Sequence, residues 1–421
     1  MNKLLLLTSL FLFLSCSKNE EFVNDNTEEI PEQPEESKTL NFENHKIEFT
    51  PNELSKYINI NSNIDYKYKT IGNETSWLSY SIDNNKLHIT TTPNNNNDEK
   101  KAKIIIYNDI ESLYDTLEVV QPINKERLVL IQIYKSLNGK EWTNQENWCT
   151  DKPLNEWEGV MANGDMGVFR LWLSHDAYIS GEIPECIGDL IDLNNISFEY
   201  SNVKGVIPET IGNLKKLERI TLSNCKLEGN IPSSIKNCTE LEYVDMSDNS
   251  LTGEIPECFF QCKKLSYLTL DNNKFNKFEI KNTPISNELH TLLIQNNNIQ
   301  SPIPEKLFDC KSLRFLHAND NEITGHIPSS IKKALNLEVL YLQNNKINGE
   351  LPSELDNDSN LGNLNLSNNK ISGTIPKCYS TLEKLQFFNI SNNYIDIKNC
   401  EYIESNPNYN NWKLIPQNNI K

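Results

Sequence analysis

Hydrophobic and polar positions recur with one fixed period over more than half of this chain. The proline of an Ile-Pro or Leu-Pro pair marks one position of the period, and it occurs at Pro184, Pro208, Pro232, Pro256, Pro304, Pro328, Pro352 and Pro376. Every interval is 24 residues except the one after Pro256, which is 48 and has Ile280 at the midpoint. Such self-similarity predicts an array of stacked structural units rather than one compact core.

Each position of the repeat has a physical role, which one unit illustrates. Leu340 and Leu342 flank Tyr341, so a short strand would point both leucines inward and the tyrosine outward. Asn345 follows at the turn that leaves the strand, where its side chain can satisfy backbone groups. Gly349 then permits backbone angles that other residues resist. One unit cannot bury its own leucines, so neighbouring units must do so.

The pattern Leu-x-x-Leu-x-Leu-x-x-Asn-x-Ile-x-Gly-x-Leu-Pro, read from residue 337 to 352, resembles the plant-type leucine-rich repeat. The resemblance implies an α/β solenoid shaped like a horseshoe, with a parallel β-sheet on its concave face. We expect ten strands from Leu171 to Ile390, with one extra residue between Leu173 and Ile196. The repeats are expected over residues 171–397, followed by a C-terminal cap over 398–421 in which Trp412 covers the last turn.

The segment before the repeats predicts a helix and a cap. Apolar residues at helical spacing predict a helix over 126–137, with a face formed by Leu128, Ile131, Tyr134 and Leu137. The string from Glu141-Trp142 to Trp157-Glu158-Gly159 resembles the N-terminal cap of plant-type repeats, which we place at 124–170. That family carries a cysteine pair here, whereas only Cys149 is nearby, so no cap disulfide is expected.

Residues 39–122 show short alternating runs separated by turn-rich stretches, which indicate a β-sandwich. The motifs at 62–66, 76–78 and 119–122 resemble the BACON domain, an Ig-like module of bacterial surface proteins. The resemblance implies either carbohydrate binding or a spacer role, and we favour the spacer. Trp77 is accordingly interpreted as a core residue rather than a sugar-stacking surface.

The N-terminus indicates export. A basic start at Lys3 precedes an apolar run over 4–14, too short to span a bilayer, which ends in Phe13-Leu14-Ser15-Cys16. This ending resembles a bacterial lipobox, which implies a signal peptide over 1–16 and lipidation of Cys16. The alternative is an ordinary signal peptide with a chance cysteine. Residues 17–38, rich in Asn, Glu and Pro, predict a disordered acidic tether. We therefore expect an outer-membrane lipoprotein that faces the cell exterior.

Charge and residue types narrow the function. A formal net charge of −18 disfavours nucleic-acid binding, and membrane attachment is expected only through the lipid. Ten cysteines leave nine besides Cys16, without CxxC pairs or the spacing of a disulfide framework. Cys238, Cys262 and Cys310 share an inward position and are interpreted as small core residues. No hydrolase, phosphate-binding or dinucleotide-binding motif occurs, so we expect no enzyme, cofactor or metal.

Outward positions of the central strands form the candidate binding surface. These aromatic, apolar and acidic residues are Tyr243, Asp245, Tyr267, Asp271, Leu293, Phe315, His317 and Tyr341. Exposed aromatic residues on a rigid sheet are typical of binding hot spots. Alternatively, they only cover neighbouring strands, since aromatic residues favour strands. The carboxylates of Asp245, Asp248 and Asp271 could also hold calcium, but the repeat itself favours Asp and Asn there.

Three functions follow from this surface. The leading hypothesis is a cell-surface recognition protein that binds a protein or peptide through the concave face. The second is a glycan-binding accessory lipoprotein of a polysaccharide-uptake system, because the same side chains could stack against sugars and meet hydroxyl groups. The third is a structural envelope protein without a specific ligand.

Overall fold

The computed structural model describes residues 36–50, 53–72, 76–92, 94, 98–164, 166–281, 288–356 and 358–418. The predicted lipidation site at Cys16 and residues 17–35 of the predicted tether lie outside the described residues. Within the described part, no helix is long and apolar enough to cross a membrane.

Two four-stranded sheets form the first folded part of the chain. Their strands are β1 (Leu40–Phe42), β2 (Lys46–Glu48), β3 (Ser55–Ser62), β4 (Lys67–Ile71), β5 (Leu78–Asp83), β6 (Lys86–Thr91), β7 (Lys100–Asn108) and β8 (Leu113–Gln121). The order is β1-β3-β6-β5 in one sheet and β2-β8-β7-β4 in the other. Both sheets contribute to one hydrophobic core. Trp77 belongs to this core and is only 6% exposed, so it offers no surface for a ligand.

Helix α1 (Lys125–Ser136) confirms the predicted helix. Of the four apolar residues that predicted it, Leu137 is fully buried. Leu128, Ile131 and Tyr134 are only half-buried, whereas Leu130 and Ile133 are fully buried. The buried side of the helix also contains a charged residue, which apolar spacing alone does not predict.

That charged residue is Arg127, which is 1% exposed. Its guanidinium donates to the backbone carbonyls of Thr150 and Lys152, both at 2.7 Å, and lies 5.0 Å from the ring centre of Trp157. A buried charge is tolerated when its donors are paired in this way. Arg127 thereby fastens the cap loop to the helix. Cys149 is an exposed free thiol, so this cap contains no disulfide.

The repeats build an eleven-stranded sheet. Its strands are β9 (Val160–Asn163), β10 (Met166–Trp172), β12 (Asn195–Ser197), β14 (Arg219–Thr221), β16 (Tyr243–Asp245), β18 (Tyr267–Thr269), β20 (Thr291–Leu293), β21 (Phe315–His317), β22 (Val339–Tyr341), β23 (Asn363–Asn365) and β25 (Phe387–Asn389). Ten strands are parallel, and β9 pairs antiparallel with β10 at the edge. Leu171 pairs with Ile196, and Ile196 with Ile220. This register confirms the predicted ten strands and the extra residue.

Outside the eleven-stranded sheet, the repeats carry further short strands and 3-10 helices. Five parallel strands form a second sheet, and two more form a third: β11 (Ser180–Glu182), β13 (Asn202–Gly205), β15 (Lys226–Asn230), β17 (Ser250–Glu254), β19 (Lys274–Lys277), then β24 (Ser372–Thr374) and β26 (Tyr394–Asp396). Short 3-10 helices follow the repeat prolines, at Glu185–Asp189, Glu209–Asn213, Ser233–Asn237, Glu257–Gln261, Glu305–Asp309, Ser329–Lys333 and Lys377–Thr381. The remaining 3-10 turns belong to the caps, at Gly139–Glu141, Leu154–Glu156, Glu401–Ser405 and Tyr409–Asn411.

A ladder of inward-facing asparagines holds neighbouring repeats together. The amide of Asn345 donates to the carbonyls of Leu342, at 3.0 Å in its own repeat, and of Ala318, at 2.9 Å in the preceding one. Its oxygen accepts from the amide of Ile323 at 2.9 Å. The same pattern recurs at Asn249, Asn273, Asn297, Asn321, Asn369 and Asn393. The predicted role of this position is therefore confirmed.

The inward-facing cysteines of the repeats are part of the core. Cys238, Cys262 and Cys310 are buried free thiols, as the repeat register predicts. Burial raises the pKa of Cys238 to about 11 and that of Cys262 to about 12. A thiol with so high a pKa holds little thiolate at neutral pH and is a poor nucleophile. At the end of the solenoid, Trp412 packs edge-on against Phe388 with ring centres 5.1 Å apart, which confirms that it covers the last turn.

Removing one rung of the asparagine ladder should destabilise the solenoid. Asn345→Ala leaves the carbonyls of Ala318, Leu342 and Gln343 and one backbone amide without this partner, so we expect the free energy of unfolding to fall by about 2 kcal/mol or more. Chemical denaturation followed by circular dichroism measures the loss. Asn348→Ala, three residues further on and exposed, is the matched control and should change the midpoint little. Equal effects of the two substitutions would contradict the role of the ladder.

Candidate ligand-binding surface

Parallel in-register strands arrange the predicted site residues in two columns on the concave face. One column contains Tyr243 and Tyr267, followed by Thr291, Phe315 and Val339 in the next strands. The other contains Asp245, Thr269, Leu293, His317 and Tyr341. The residue between the columns in each strand, such as Val244 or Leu268, is fully buried. Alternation along the strand therefore turns both columns outward.

The predicted site residues of these two columns lie in five neighbouring strands, β16 to β22. Tyr267 is 45% exposed, and the others are half-buried. At a strand spacing of about 4.8 Å, four steps extend over about 19 Å. These residues, together with Asp271 just beyond β18, are called the central strip below. Its eight members are Tyr243, Asp245, Tyr267, Asp271, Leu293, Phe315, His317 and Tyr341.

Ring contacts hold the aromatic members in place. Tyr243 and Tyr267 have ring centres 5.8 Å apart, so the contact expected from the register is present. His317 stacks on Tyr341 at 4.8 Å. Two guanidinium groups lie over aromatic rings of the concave face: Arg219 lies 5.2 Å from the ring centre of Tyr243, and Arg314 lies 5.4 Å from that of Phe315. Rings that are fixed in this way lose little conformational entropy when a ligand binds.

The two acidic members have different environments. Asp245 accepts hydrogen bonds from the amide and the hydroxyl of Ser247, at 3.0 and 2.7 Å. Asp271 is half-buried and accepts from the side-chain amide of Asn272 at 2.9 Å. Burial raises the pKa of Asp271 to about 6, and the nearby carboxylates of Asp248 and Asp245 add to the rise. Three carboxylates thus make this part of the strip acidic.

Neither metal binding nor acid–base chemistry is supported at the strip. Among the described residues, no group of three or more His, Cys, Asp or Glu side chains could hold a metal ion. The alternative of a calcium site at Asp245, Asp248 and Asp271 is therefore not supported. Burial lowers the pKa of His317, so its imidazole is neutral at neutral pH and serves as an aromatic surface.

A second surface was missed by the sequence analysis. At the N-terminal end of the concave sheet, a cleft of about 370 Å³ is lined by Glu158, Gly159, Val160, Met161, Trp172, Ser174 and His175; we call it the Trp172 cleft. The signal was present in the sequence, because Trp172 lies between Leu171 and Leu173 as Tyr341 lies between Leu340 and Leu342. What the repeat could not predict is the edge strand β9, which forms one wall.

The raised pKa of Asp271 should make stability depend on pH. The folded chain holds this proton more tightly than the unfolded chain, whose aspartates have the ordinary value, so the free energy of unfolding should fall as pH rises from about 4 to about 6. Asp271→Asn removes this contribution, and denaturation midpoints across that range should therefore differ from wild type in slope. Asp320→Asn removes an exposed carboxylate two strands further along the sheet and is the control for loss of a charge. A parallel pH profile for wild type and Asp271→Asn would contradict the assignment.

Comparison with known proteins agrees with this architecture. The family model described as Leucine Rich Repeat matches residues 216–238, 240–262, 312–334, 336–357 and 360–382. A search of curated protein sequences finds no match to the chain. Neither the family model nor the solved structures reported next indicate an enzyme family.

Several solved structures share the fold. The leucine-rich-repeat ectodomain of the receptor kinase GASSHO1/SCHENGEN3 from Arabidopsis thaliana, in complex with CASPARIAN STRIP INTEGRITY FACTOR 2, is 30% identical with a TM-score of 0.54, over 63% of this chain and 32% of that one. A plant ice-binding protein is 26% identical with a TM-score of 0.55, over 65% and 87%. The plant peptide hormone receptor RGFR1 in complex with RGF2 is 27% identical with a TM-score of 0.43, over 53% and 40%.

The chain thus spans about a third of the length of the first of these receptors. The repeat register, the parallel concave sheet, the family-model match and the two structures with TM-scores above 0.5 lead to one conclusion. The chain carries a leucine-rich-repeat solenoid, with structural neighbours among plant receptor ectodomains.

Proposed function

We propose that this protein is a non-enzymatic recognition protein that binds a protein or peptide partner through the concave face of its solenoid. The observation that carries the proposal is the central strip: half-exposed aromatic rings beside carboxylates, on five neighbouring parallel strands. Large aromatic side chains on a fixed surface supply most of the binding energy in protein interfaces.

Rigidity supports this proposal. The asparagine ladder fixes the backbone at the end of each strand, as Asn273 does between Met246 and Leu251. The rings of Tyr243 and Tyr267 are held by each other, and Arg219 covers one of them. A partner that binds here meets groups that are already ordered, and less of the interaction energy is lost to ordering them.

The carboxylates and apolar rings of the strip indicate which types of side chain the partner presents. Asp245 and Asp271 place negative charge between apolar rings, and the chain as a whole has a formal net charge of −18. Basic side chains flanked by apolar ones complement such a surface. A length of about 19 Å accommodates about six residues of an extended peptide at about 3.3 Å each.

Similarity to a receptor ectodomain agrees with this function. The Arabidopsis GASSHO1/SCHENGEN3 ectodomain, which is similar to this solenoid, is described in complex with a factor that it binds. Ligand recognition by a repeat solenoid of this type is therefore the function that the comparison supports. No cofactor is part of the proposal.

We further propose that the protein is attached to the outer membrane by a lipid on Cys16 and faces the cell exterior. The lipobox-like ending Phe13-Leu14-Ser15-Cys16 and the polar segment over 17–38 support this location. In this arrangement the residues 39–122, which resemble a BACON domain, act as a spacer between the membrane and the solenoid.

Removal of the two tyrosines of the strip should abolish partner binding. A random-peptide display library selected on the purified full chain supplies the probe peptides. Tyr243→Ala combined with Tyr267→Ala should weaken the selected peptides by roughly tenfold or more, because two hot-spot rings are lost. Tyr394→Ala, a similarly exposed tyrosine of β26 outside the concave sheet, is the control. Unchanged affinity in the double variant would show that the strip is not the binding surface.

Lipidation depends on a single residue. Metabolic labelling with a clickable fatty acid in a Gram-negative host should label the full chain, and Cys16→Ala should lose the label because the acceptor thiol is absent. Cys149→Ser, which removes an exposed thiol of the cap, should keep it. Equal labelling of the Cys16→Ala variant would overturn the anchor.

A further inference from the structure

The Trp172 cleft contains the one solvent-open tryptophan of the chain. Trp172 is 50% exposed, whereas the other five are between 1% and 8% exposed: Trp77, Trp142, Trp148, Trp157 and Trp412. The flank residue Met161 is 40% exposed as well. Large apolar side chains that share one open surface commonly mark a ligand site.

The cleft depends on a backbone conformation at Gly159 that other residue types could not adopt. The amide of Trp172 donates to the carbonyl of Gly159 at 2.7 Å. Gly159 has a φ of +76°, and a Cβ there would lie 2.3 Å from the carbonyl oxygen of Trp172. Only glycine fits this turn, which brings the segment before β9 against the end of β10. The indole therefore lies beside a fixed wall rather than on an open sheet.

Polar groups of different kinds border the indole. Glu158 contributes a carboxylate and Ser174 a hydroxyl, which lies 2.5 Å from the hydroxyl of Ser197. His175 contributes an imidazole that stacks on Tyr200, with ring centres 4.8 Å apart. Hydrogen-bond acceptors, and groups that can both donate and accept hydrogen bonds, thus border the flat apolar face of the Trp172 indole.

The charges around the cleft distinguish between a cationic ligand and a neutral one. The imidazole nitrogen Nε2 of His175 lies 3.3 Å from the carboxylate of Glu199, which occupies that acidic group. Glu158 is then the one carboxylate left among the lining residues, and it is exposed to solvent. An exposed carboxylate holds a cation only weakly, whereas it can accept hydrogen bonds from a neutral ligand.

We propose that the Trp172 cleft binds a neutral pyranose ring of a glycan. A pyranose has an apolar C–H face that matches the indole, and equatorial hydroxyls that match the carboxylate, hydroxyl and imidazole at its border. The cleft volume of about 370 Å³ lies at the lower end of small-ligand sites, which suits a short saccharide. The protein then has two binding surfaces on one concave sheet.

The two surfaces are separate. Strands β12 and β14 lie between β10 and β16, so three strand steps, about 14 Å, separate Trp172 from the central strip. In the column that contains Trp172, the outward residues between the two surfaces are Ser197 and Thr221, which are small. In the other column, Arg219 lies over Tyr243 of the central strip. This inference therefore does not rest on the peptide-binding proposal.

Saturation-transfer NMR on the full chain tests the proposal directly. The probes are the methyl glycosides of glucose, galactose, mannose and N-acetylglucosamine, with Nα-acetyl-arginine amide as the cationic probe. We expect transfer to at least one sugar, with loss of roughly tenfold or more in affinity on Trp172→Ala, because the stacking face disappears. Tyr243→Ala with Tyr267→Ala, which removes the rings of the central strip, is the control and should leave sugar binding unchanged.

A second variant keeps the test decisive if Trp172→Ala fails to fold. Glu158→Gln retains an acceptor and removes the charge, so sugar affinity should fall by roughly fivefold or less, whereas a cation site would lose its ligand entirely. Wild-type tryptophan fluorescence should also change saturably with the same sugar, because Trp172 is the exposed indole. Binding of the arginine probe alone, or no transfer to any of the four sugars, would overturn the proposal.

Discussion

The stacking of one repeat on the next is the constraint on which the rest of this structure depends. Each repeat buries the apolar side chains in and just after its short strand only because a neighbour covers them, and the asparagine ladder fixes the distance between neighbours. Asn345, for example, joins backbone groups of its own repeat to Ala318 and Ile323 of the preceding one. This regular stacking places outward side chains in straight columns, so the binding surface is a direct consequence of how the core is held together.

Much of this arrangement could be predicted because the repeat carries the information locally. The alternation around Tyr341 and the fixed position of Asn345 determine the strands, their register and the residues that point outward. Contacts between residues distant in sequence could not be predicted. Arg127 is buried because the carbonyls of Thr150 and Lys152 receive its guanidinium, and apolar spacing gives no sign of such partners.

The two functional surfaces also differ in how far the sequence predicts them. The central strip was predictable, since its members occupy recurring repeat positions, but the raised pKa of Asp271 reflects burial and two carboxylates of the preceding repeat. The Trp172 cleft depends on β9 and on the turn at Gly159, both of which lie before the repeat begins. A periodic pattern thus predicts the middle of a solenoid well and its ends poorly, because the end strands pack against unique segments.

The central claim is that a partner binds on the concave face at the central strip. Hydroxyl-radical footprinting of the full chain, with and without a peptide selected from the display library, measures this side chain by side chain. The account predicts that the peptide protects Tyr243, Tyr267 and Tyr341 from oxidation, while Tyr394 in β26 reacts equally in both states. Protection of Tyr394, or of tyrosines in residues 39–122, without protection of the strip would contradict it.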